Sequence, residues 1–194
     1  MGKMLAMAVH AAPQTSAQGA RAQETVDAST LFRAHAPFVA AFLQRLGISA
    51  QDAGDLVQEV FLIVHRKGGY RPGAARPTTW LAGVALGVAR NFRRRDARRS
   101  RIEEAVDVRL DAGGPDLEHA LDARTSLDHV RRALDHIHED QRVVIILHEL
   151  EGESLVSIAA GLGVPKGTIY ARLHRGRKAF RKAYAELTGE GSQP

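Results

Sequence analysis

The stretch 154–177, SLVSIAAGLGVPKGTIYARLHRGR, constrains the fold of this 194-residue chain more than any other segment. Apolar residues recur at the i, i+3, i+4, i+7 spacing of one helical face between Leu155 and Leu162. Ser154 is a suitable N-cap, and Gly163 and Pro165 supply a helix stop and a new start. A second helix with basic and polar side chains follows. This helix-turn-helix pattern is the one that places a recognition helix in a DNA major groove, and an ordinary helical hairpin with a basic surface is the alternative.

Positive charge is concentrated in two separate parts of the chain. Of the 27 Lys and Arg, seven lie in 90–101 and seven more in 166–182, whereas 103–128 holds eight acidic residues. Two basic patches joined by an acidic connector indicate two contacts with a polyanion. A membrane surface would also attract them, but no apolar run is long enough to span a bilayer.

The absence of cysteine excludes disulfides and thiolate metal sites, and it favours a reducing cytoplasm as the location. The N-terminal residues are rich in Ala, Gln, Ser and Thr. A short apolar run after Lys3 bears only a faint likeness to a secretory signal, because His10 interrupts it. We therefore expect a disordered tail.

Helical periodicity continues through the rest of the chain. It predicts helices over 29–46 and 53–66, a glycine- and proline-rich loop over 67–77, and a helix capped by Thr78 or Thr79. Later segments predict a helix through Leu127, Val130, Leu134 and Ile137, another over 140–150, and then the helix-turn-helix.

The predicted fold class is all-α, with two small helical domains joined by an acidic flexible linker, the second containing the helix-turn-helix. The predicted segments are an N-terminal tail (1–27), a first domain (28–101), the linker (102–116), a second domain (117–188) and a C-terminal tail (189–194).

Three blocks in a fixed order carry a family resemblance. They are DAGDLVQEVFLIV at 52–64, TTWLAGVALGVARNFRRRDARR at 78–99, and HEDQRVVIILHELEGESLVSIAAGLGVPKGTIYARLHRGRKAF at 138–180. Together they resemble the extracytoplasmic-function (ECF) sigma factors of bacterial RNA polymerase. The resemblance implies a cytoplasmic specificity subunit for transcription initiation, with no catalytic site, cofactor or metal of its own. Its first domain (sigma region 2) would bind polymerase and melt the minus-ten element, and its second (sigma region 4) would read the minus-thirty-five element.

The resemblance also implies partners and polymerase-binding residues. The implied partners are the core polymerase, through the clamp helices of its largest subunit and its flap, together with promoter DNA and an anti-sigma factor. The polar face of helix 53–66 would dock on the clamp helices through Asp55, Gln58, Glu59 and Leu62. An ordinary solvated face is the alternative for this amphipathic helix.

For the minus-ten element, the resemblance points to the 67–77 loop and the helix that follows. Tyr70 would stack on a flipped base, with Arg71 or Arg76 on adjacent phosphates, although a flexible surface loop is an equal alternative. The residues that would track the DNA backbone are Arg90, Asn91, Arg93, Arg94, Arg95, Arg98 and Arg99. Gly87 departs from the family pattern, because it stands where an Asn often reads a base.

For the minus-thirty-five element, the matched positions divide into two sets. The base-facing residues would be Tyr170, Ala171, His174 and Arg175. The phosphate-binding residues would be Lys166, Thr168, Arg172 and Arg177.

Two other classes of protein remain as alternatives. One is a stand-alone helix-turn-helix regulator that binds duplex DNA without polymerase, although no dimerisation helix is evident. The other is a histidine-dependent metal enzyme or sensor. Against it, His136 and His138 project about 200° apart on a regular helix, and no HExxH pattern occurs.

Overall fold

A computed structural model describes residues 25–104 and 121–189 of the chain, with side chains over 25–99 and 127–189. Within these ranges it contains seven α-helices and one isolated β-bridge, which confirms the predicted all-α fold. The helices are α1 (Ala28–Arg45), α2 (Ala50–Arg66), α3 (Pro77–Glu104), α4 (Leu121–Asp135), α5 (Glu139–Ile145), α6 (Leu155–Leu162) and α7 (Lys166–Thr188). The domain and linker bounds stay predictions, and most of the predicted tails and linker lies outside the described residues.

Helices α1–α3 form the first unit around an apolar core. Side chains of Asp27 and Ser49 cap α1 and α2 by accepting hydrogen bonds from backbone N–H groups, and Gly47 ends the turn between them with φ +88°. Residues of all three helices that share an inward face are buried: Leu31, Val39, Phe42, Leu43, Leu56, Val60, Val64, Leu81 and Ala85. These apolar faces pack together as the core of the first unit.

The loop between α2 and α3 is anchored to the segment before α1 at Gly69 and Tyr70. Val26 and Tyr70 exchange backbone hydrogen bonds of 2.8 Å, and Gly69 lies so close to Val26 that a Cβ would overlap its carbonyl. The predicted cap at Thr78 or Thr79 is wrong, because α3 already begins at Pro77. Proline suits the first helical position, where its missing N–H leaves no hydrogen bond unmade.

Helices α4–α7 form the second unit, which contains the predicted helix-turn-helix. Ser154 caps α6 by accepting from the Ser157 N–H at 3.1 Å, and Gly163 ends it with φ +65°, both as predicted. The helix predicted over 140–150 is instead α5 followed by a π-helical turn, Ile146–Leu150. Gly176 allows α7 to approach α5, since a Cβ there would lie 2.9 Å from Ile145 Cδ1.

The two units are in contact, which the sequence did not predict. Helix α6 packs across α3, and Gly83 and Gly161 face each other at the crossing. The sequence had indicated two separate bundles on a string. The contact depends on small residues, which carry no apolar periodicity.

Candidate polymerase and nucleic-acid surfaces

The outer face of α2 carries the four residues predicted to bind polymerase. Asp55 and Gln58 are exposed, and Leu62 is 56% exposed, whereas the opposite face of α2 is buried against the core. Glu59 is half-buried and accepts a hydrogen bond from Arg95 at 3.0 Å. The structure therefore brings the four together on one accessible face, with an apolar side chain among polar ones.

Beyond its buried first half, helix α3 presents a stripe of basic residues, which we call the α3 stripe. It comprises Arg90, Arg93, Arg94, Arg98 and Arg99. Asn91, Arg94, Arg98 and Arg99 are exposed, and Arg94 donates to Asn91 Oδ1 at 2.5 Å. Gly87 lies one turn earlier and is also exposed, with nothing within 4 Å of where its Cβ would be. The stripe has the extended positive character that backbone phosphates select.

Two other arginines of the stripe are bound to carboxylates of the second unit. Arg90 contacts Glu139 Oε1 at 3.1 Å and Asp140 Oδ1 at 2.6 Å. Arg93 contacts Glu139 Oε2 at 3.0 Å and donates to the Leu46 carbonyl. Both guanidinium groups therefore face protein carboxylates in this conformation.

Tyr70 does not join the cations that the sequence grouped with it. Its side chain is buried, its ring centroid lies 5.6 Å from that of Trp80, and its hydroxyl donates to the Ala75 carbonyl at 2.6 Å. Arg71 and Arg76 are exposed on the same loop. A base-stacking role for Tyr70 does not fit this conformation, because the ring is already packed inside the protein.

Helix α7 exposes most of the residues predicted to read the minus-thirty-five element. Ile169 and Leu173 are buried as predicted. The exposed residues are Lys166, Thr168, Tyr170, His174, Arg175 and Arg177, while Ala171 and Arg172 are half-buried. Tyr170, 59% exposed, is a large aromatic surface on an otherwise polar face.

Two of the cations on α7 already have acidic partners. Arg172 contacts Asp140 Oδ2 at 2.6 Å, and Arg177 contacts Glu149 Oε1 at 2.6 Å. Asp140 thus holds Arg172 of its own unit with one oxygen and Arg90 of the other unit with the second.

The carboxylates at the start of α5 are functional candidates that sequence reasoning missed. Glu139 and Asp140 lie in the first helical turn, where acidic residues are favoured by the helix dipole, so the sequence offered an adequate local explanation for them. Nearby, burial lowers the pKa of Arg142. The Asp135 carboxylate lies 2.9 Å from this guanidinium and acts in the opposite direction, towards a higher pKa.

Two features are absent from the residues that the structure describes. No group of three or more His, Cys, Asp and Glu side chains there is placed to hold a metal ion. No helix in the same ranges has the length and apolar character needed to cross a membrane.

Comparison with known proteins agrees with the resemblance seen in the three sequence blocks. The family model described as Sigma-70 region 2 matches residues 31–99, and that described as Sigma-70, region 4 matches residues 127–180. The RNA polymerase sigma factor CarQ of Myxococcus xanthus is 35% identical over 159 residues, which cover 81% of this chain and 88% of CarQ. The sigma factor HrpL of Pseudomonas syringae pv. syringae is 34% identical over 146 residues, 73% of this chain and 78% of HrpL.

Solved structures give the same result. The sigma factor RpoE in complex with the anti-sigma factor NepR, from Bartonella quintana, matches with a TM-score of 0.61 and 25% identity, over 80% of this chain and 94% of RpoE. CnrH in complex with the cytosolic domain of CnrY matches with a TM-score of 0.56 and 22% identity, over 80% of this chain and 85% of CnrH, and supports the fold alone.

Proposed function

This chain belongs to the ECF sigma factors of the sigma-70 family, and we propose that its three exposed surfaces divide the work of promoter recognition among them. The α2 face binds core polymerase, the α3 stripe binds the minus-ten region, and α7 reads the minus-thirty-five element. The polymerase itself carries the chemistry, and the complex acts in the cytoplasm. The observation that carries this proposal is that the polar face of α2 is exposed. A DNA-binding regulator that works without polymerase would have no use for such a surface.

The composition of the α2 face supports polymerase binding. Asp55 and Gln58 are exposed on α2 and make no part of the core. The exposed Leu62 lies one turn beyond Gln58 on the same face. The patch combines one exposed apolar side chain with an amide and two carboxylates, so it offers a partner both apolar contact and negative charge to complement. We assign this face to the clamp helices of the largest subunit.

The α2 assignment is tested by the triple variant Asp55→Ala/Gln58→Ala/Glu59→Ala. We expect core polymerase binding to fall at least tenfold while the helical circular-dichroism signal is retained, because none of the three side chains is in the core. The matched control is Gln51→Ala, an exposed polar residue in the first turn of the same helix. Undiminished co-purification of the triple variant with core polymerase would refute the assignment.

The α3 stripe and α7 provide two different kinds of DNA contact. On α3, Arg94 and Arg98 follow the backbone of the melted region, and Arg71 and Arg76 on the preceding loop hold adjacent phosphates. Tyr70 is left out of this proposal because it is buried. On α7, the exposed Tyr170, His174 and Arg175 face base edges, while the exposed N-terminal turn at Lys166 and Thr168 holds a phosphate.

An apolar groove on the second unit supports an anti-sigma partner. The groove has a volume of about 620 Å³, and its apolar walls come from Val130, Leu134, Ile145, Leu150 and Phe180. It adjoins a groove of about 470 Å³ that shares three of its residues and extends to α1. The polar lining of the first groove comes from His174, Glu149, Arg177 and Arg181. Glu149 pairs with Arg177, so Arg181 and His174 are the remaining basic side chains. We assign this groove to a partner helix with an apolar face and an acidic flank.

Introducing a negative charge into the groove tests this assignment. In cells that contain the native partner, Leu150→Glu repels the acidic flank, and we expect expression from the chain's mapped target promoters to rise several-fold in uninduced cells. Val156→Glu, at an equally exposed apolar residue on α6, is the control and leaves expression at the parent level. Parent-level expression in the Leu150→Glu cells would contradict the assignment of this groove.

A further inference from the structure

The segment before α1 pairs with the loop that follows α2. The Val26 N–H donates to the Tyr70 carbonyl at 2.8 Å, and the Tyr70 N–H donates to the Val26 carbonyl at 2.8 Å. The next residue, Asp27, caps α1 by accepting from the Thr30 N–H at 2.7 Å. Two reciprocal hydrogen bonds therefore fix the backbone at Tyr70 to the start of α1.

Two neighbouring glycines of this loop have different surroundings. Gly68 and Gly69 both have left-handed backbones, with φ +77° and +87°. A Cβ on Gly69 would lie 2.3 Å from the Val26 carbonyl oxygen, whereas a Cβ on Gly68 would meet nothing within 4 Å. Both positions favour glycine for their φ, but only at Gly69 is the missing side chain also needed for the close approach of Val26.

The Tyr70 side chain closes the loop from inside the protein. Its ring is buried, with its centroid 5.6 Å from that of Trp80, and its hydroxyl donates to the Ala75 carbonyl at 2.6 Å. Tyr70 is thus held at its backbone by Val26, and it holds the far side of the loop through its hydroxyl. A buried polar group with its partner in place favours a single arrangement of the chain around it.

Each of the two loop cations directly follows a tethered residue. Arg71 follows Tyr70, and Arg76 follows Ala75. Arg71 is exposed, and the side chain of Arg76 is 67% exposed although Glu153 Oε2 lies 3.6 Å from its Nη1. Both cations therefore combine a restrained backbone with a side chain that is accessible from outside.

We infer from these contacts that Val26 and Tyr70 are positioning residues for the minus-ten contact. Their backbone pair and the Tyr70 hydroxyl hold the loop in the conformation that presents Arg71 and Arg76 to DNA phosphates. The inference rests on the proposed function of these two arginines. Ordering a flexible loop on binding costs affinity, and a loop that the fold has already ordered avoids that cost. Tyr70 thus serves the DNA contact from a buried position, without touching a base.

A double-mutant cycle with Gly69→Ala tests the inference on the full chain bound to core polymerase. The added methyl group strikes the Val26 carbonyl and separates the pair, so we expect affinity for a pre-melted fork of a mapped promoter to fall about five- to tenfold. In the Arg71→Ala/Arg76→Ala background the same change should have little further effect, because the side chains that the loop positions are gone. The matched control is Gly68→Ala, which adds a methyl group at a left-handed glycine without meeting a neighbour.

Hydrogen exchange shows whether the backbone pair itself is broken. In the free parent chain the Tyr70 amide is hydrogen-bonded to Val26, and we expect Gly69→Ala to speed its exchange about tenfold while Gly68→Ala does not. Val26→Pro is a second variant, which removes only the N–H donated to the Tyr70 carbonyl and leaves both glycines unchanged. It should also weaken fork binding, and again only when Arg71 and Arg76 are present.

The outcomes separate this inference from the proposed function. Equal losses of fork affinity in the two backgrounds would show that the variants act through general stability, and would overturn the positioning role. Faster Tyr70 exchange together with parent-like fork affinity would overturn it as well. In contrast, fork binding by Arg71→Ala/Arg76→Ala that equals the parent's would refute the phosphate contacts of the proposed function, whatever the state of the backbone pair.

Discussion

Arg172 and Arg175 lie three residues apart on α7, yet their surroundings give them different roles. Arg172 is 24% exposed at its side chain and is fixed by Asp140, so it is oriented by the protein before DNA arrives. Arg175 is exposed on the helix surface. An exposed arginine on a recognition helix can align both guanidinium nitrogens with the O6 and N7 of a guanine.

We predict that Arg175→Ala changes base preference, whereas Lys166→Ala does not. Loss of a bidentate guanine contact should cost about 1–3 kcal/mol and relax selection at one base pair of the minus-thirty-five element. Lys166, at the first residue of α7, should contribute a phosphate contact and weaken all promoters equally. Selection from a randomised promoter library measures both. A uniform loss with unchanged base preference for Arg175→Ala would reduce it to a backbone contact.

Two glycines of α3 show what the sequence reveals at the residue scale and what it does not. Gly83 and Gly87 are one turn apart in the same apolar segment, and neither is distinguished by the pattern around it. The structure separates them completely, since a Cβ on Gly83 would strike α6 and a Cβ on Gly87 would meet nothing. The family resemblance singled out Gly87 as a departure, but only the fold shows why position 83 is glycine.

At the scale of secondary structure, the chain was most predictable where capping is local. The ends of α6 follow from Ser154 and Gly163, because a side-chain cap and a left-handed glycine act within a few residues. The start of α3 was misplaced because Pro77 competes with the threonines that follow it. The π-helical turn after α5 gave no signal in the sequence, since its residues keep the apolar spacing of a continuous helix.

The α3 stripe should act through charge along its length rather than through any single residue. We predict that Arg94→Ala/Arg98→Ala lowers the slope of log K against log salt by about 1.4 for a pre-melted promoter fork, since each phosphate contact with single-stranded DNA contributes about 0.7. The control is Arg33→Ala, which removes an exposed cation from α1. A binding loss that leaves the salt slope unchanged would show that the stripe does not contact phosphates.

At the scale of the whole molecule, the sequence predicted two helical units but not how they meet. Apolar periodicity identifies faces that are buried within a unit, because those faces are built from large side chains. The contact between units uses Gly83, Gly161, Thr79 and Ser157, which are small or polar and resemble ordinary surface residues in the sequence. The ion pairs between the units could not be predicted from the sequence for another reason, because Arg90 is 49 residues from Glu139 along the chain.

Asp140 is the residue at which binding within the second unit and contact between the units converge. Its Oδ1 lies 2.6 Å from Arg90 and its Oδ2 lies 2.6 Å from Arg172. Substitution by asparagine keeps the shape of the side chain and removes the negative charge that both guanidinium groups share. Arg172 then loses the carboxylate that holds it, and Arg90 keeps only its contact with Glu139, so both guanidinium groups are held less firmly and are more available to phosphates.

We therefore predict that Asp140→Asn lowers the stability of the free chain and at the same time strengthens its DNA binding. The melting temperature should fall, since two partly buried ion pairs lose their shared anion and charged hydrogen bonds contribute about 1.5–3 kcal/mol each. Affinity for single-stranded DNA should rise several-fold, and its salt slope should steepen by about 0.7 for each cation released. The matched control is Asp128→Asn, which removes an exposed carboxylate 4.0 Å from Arg132 and should change neither quantity. A drop in melting temperature without tighter DNA binding would show that the carboxylate stabilises the fold but does not compete with DNA for the two arginines.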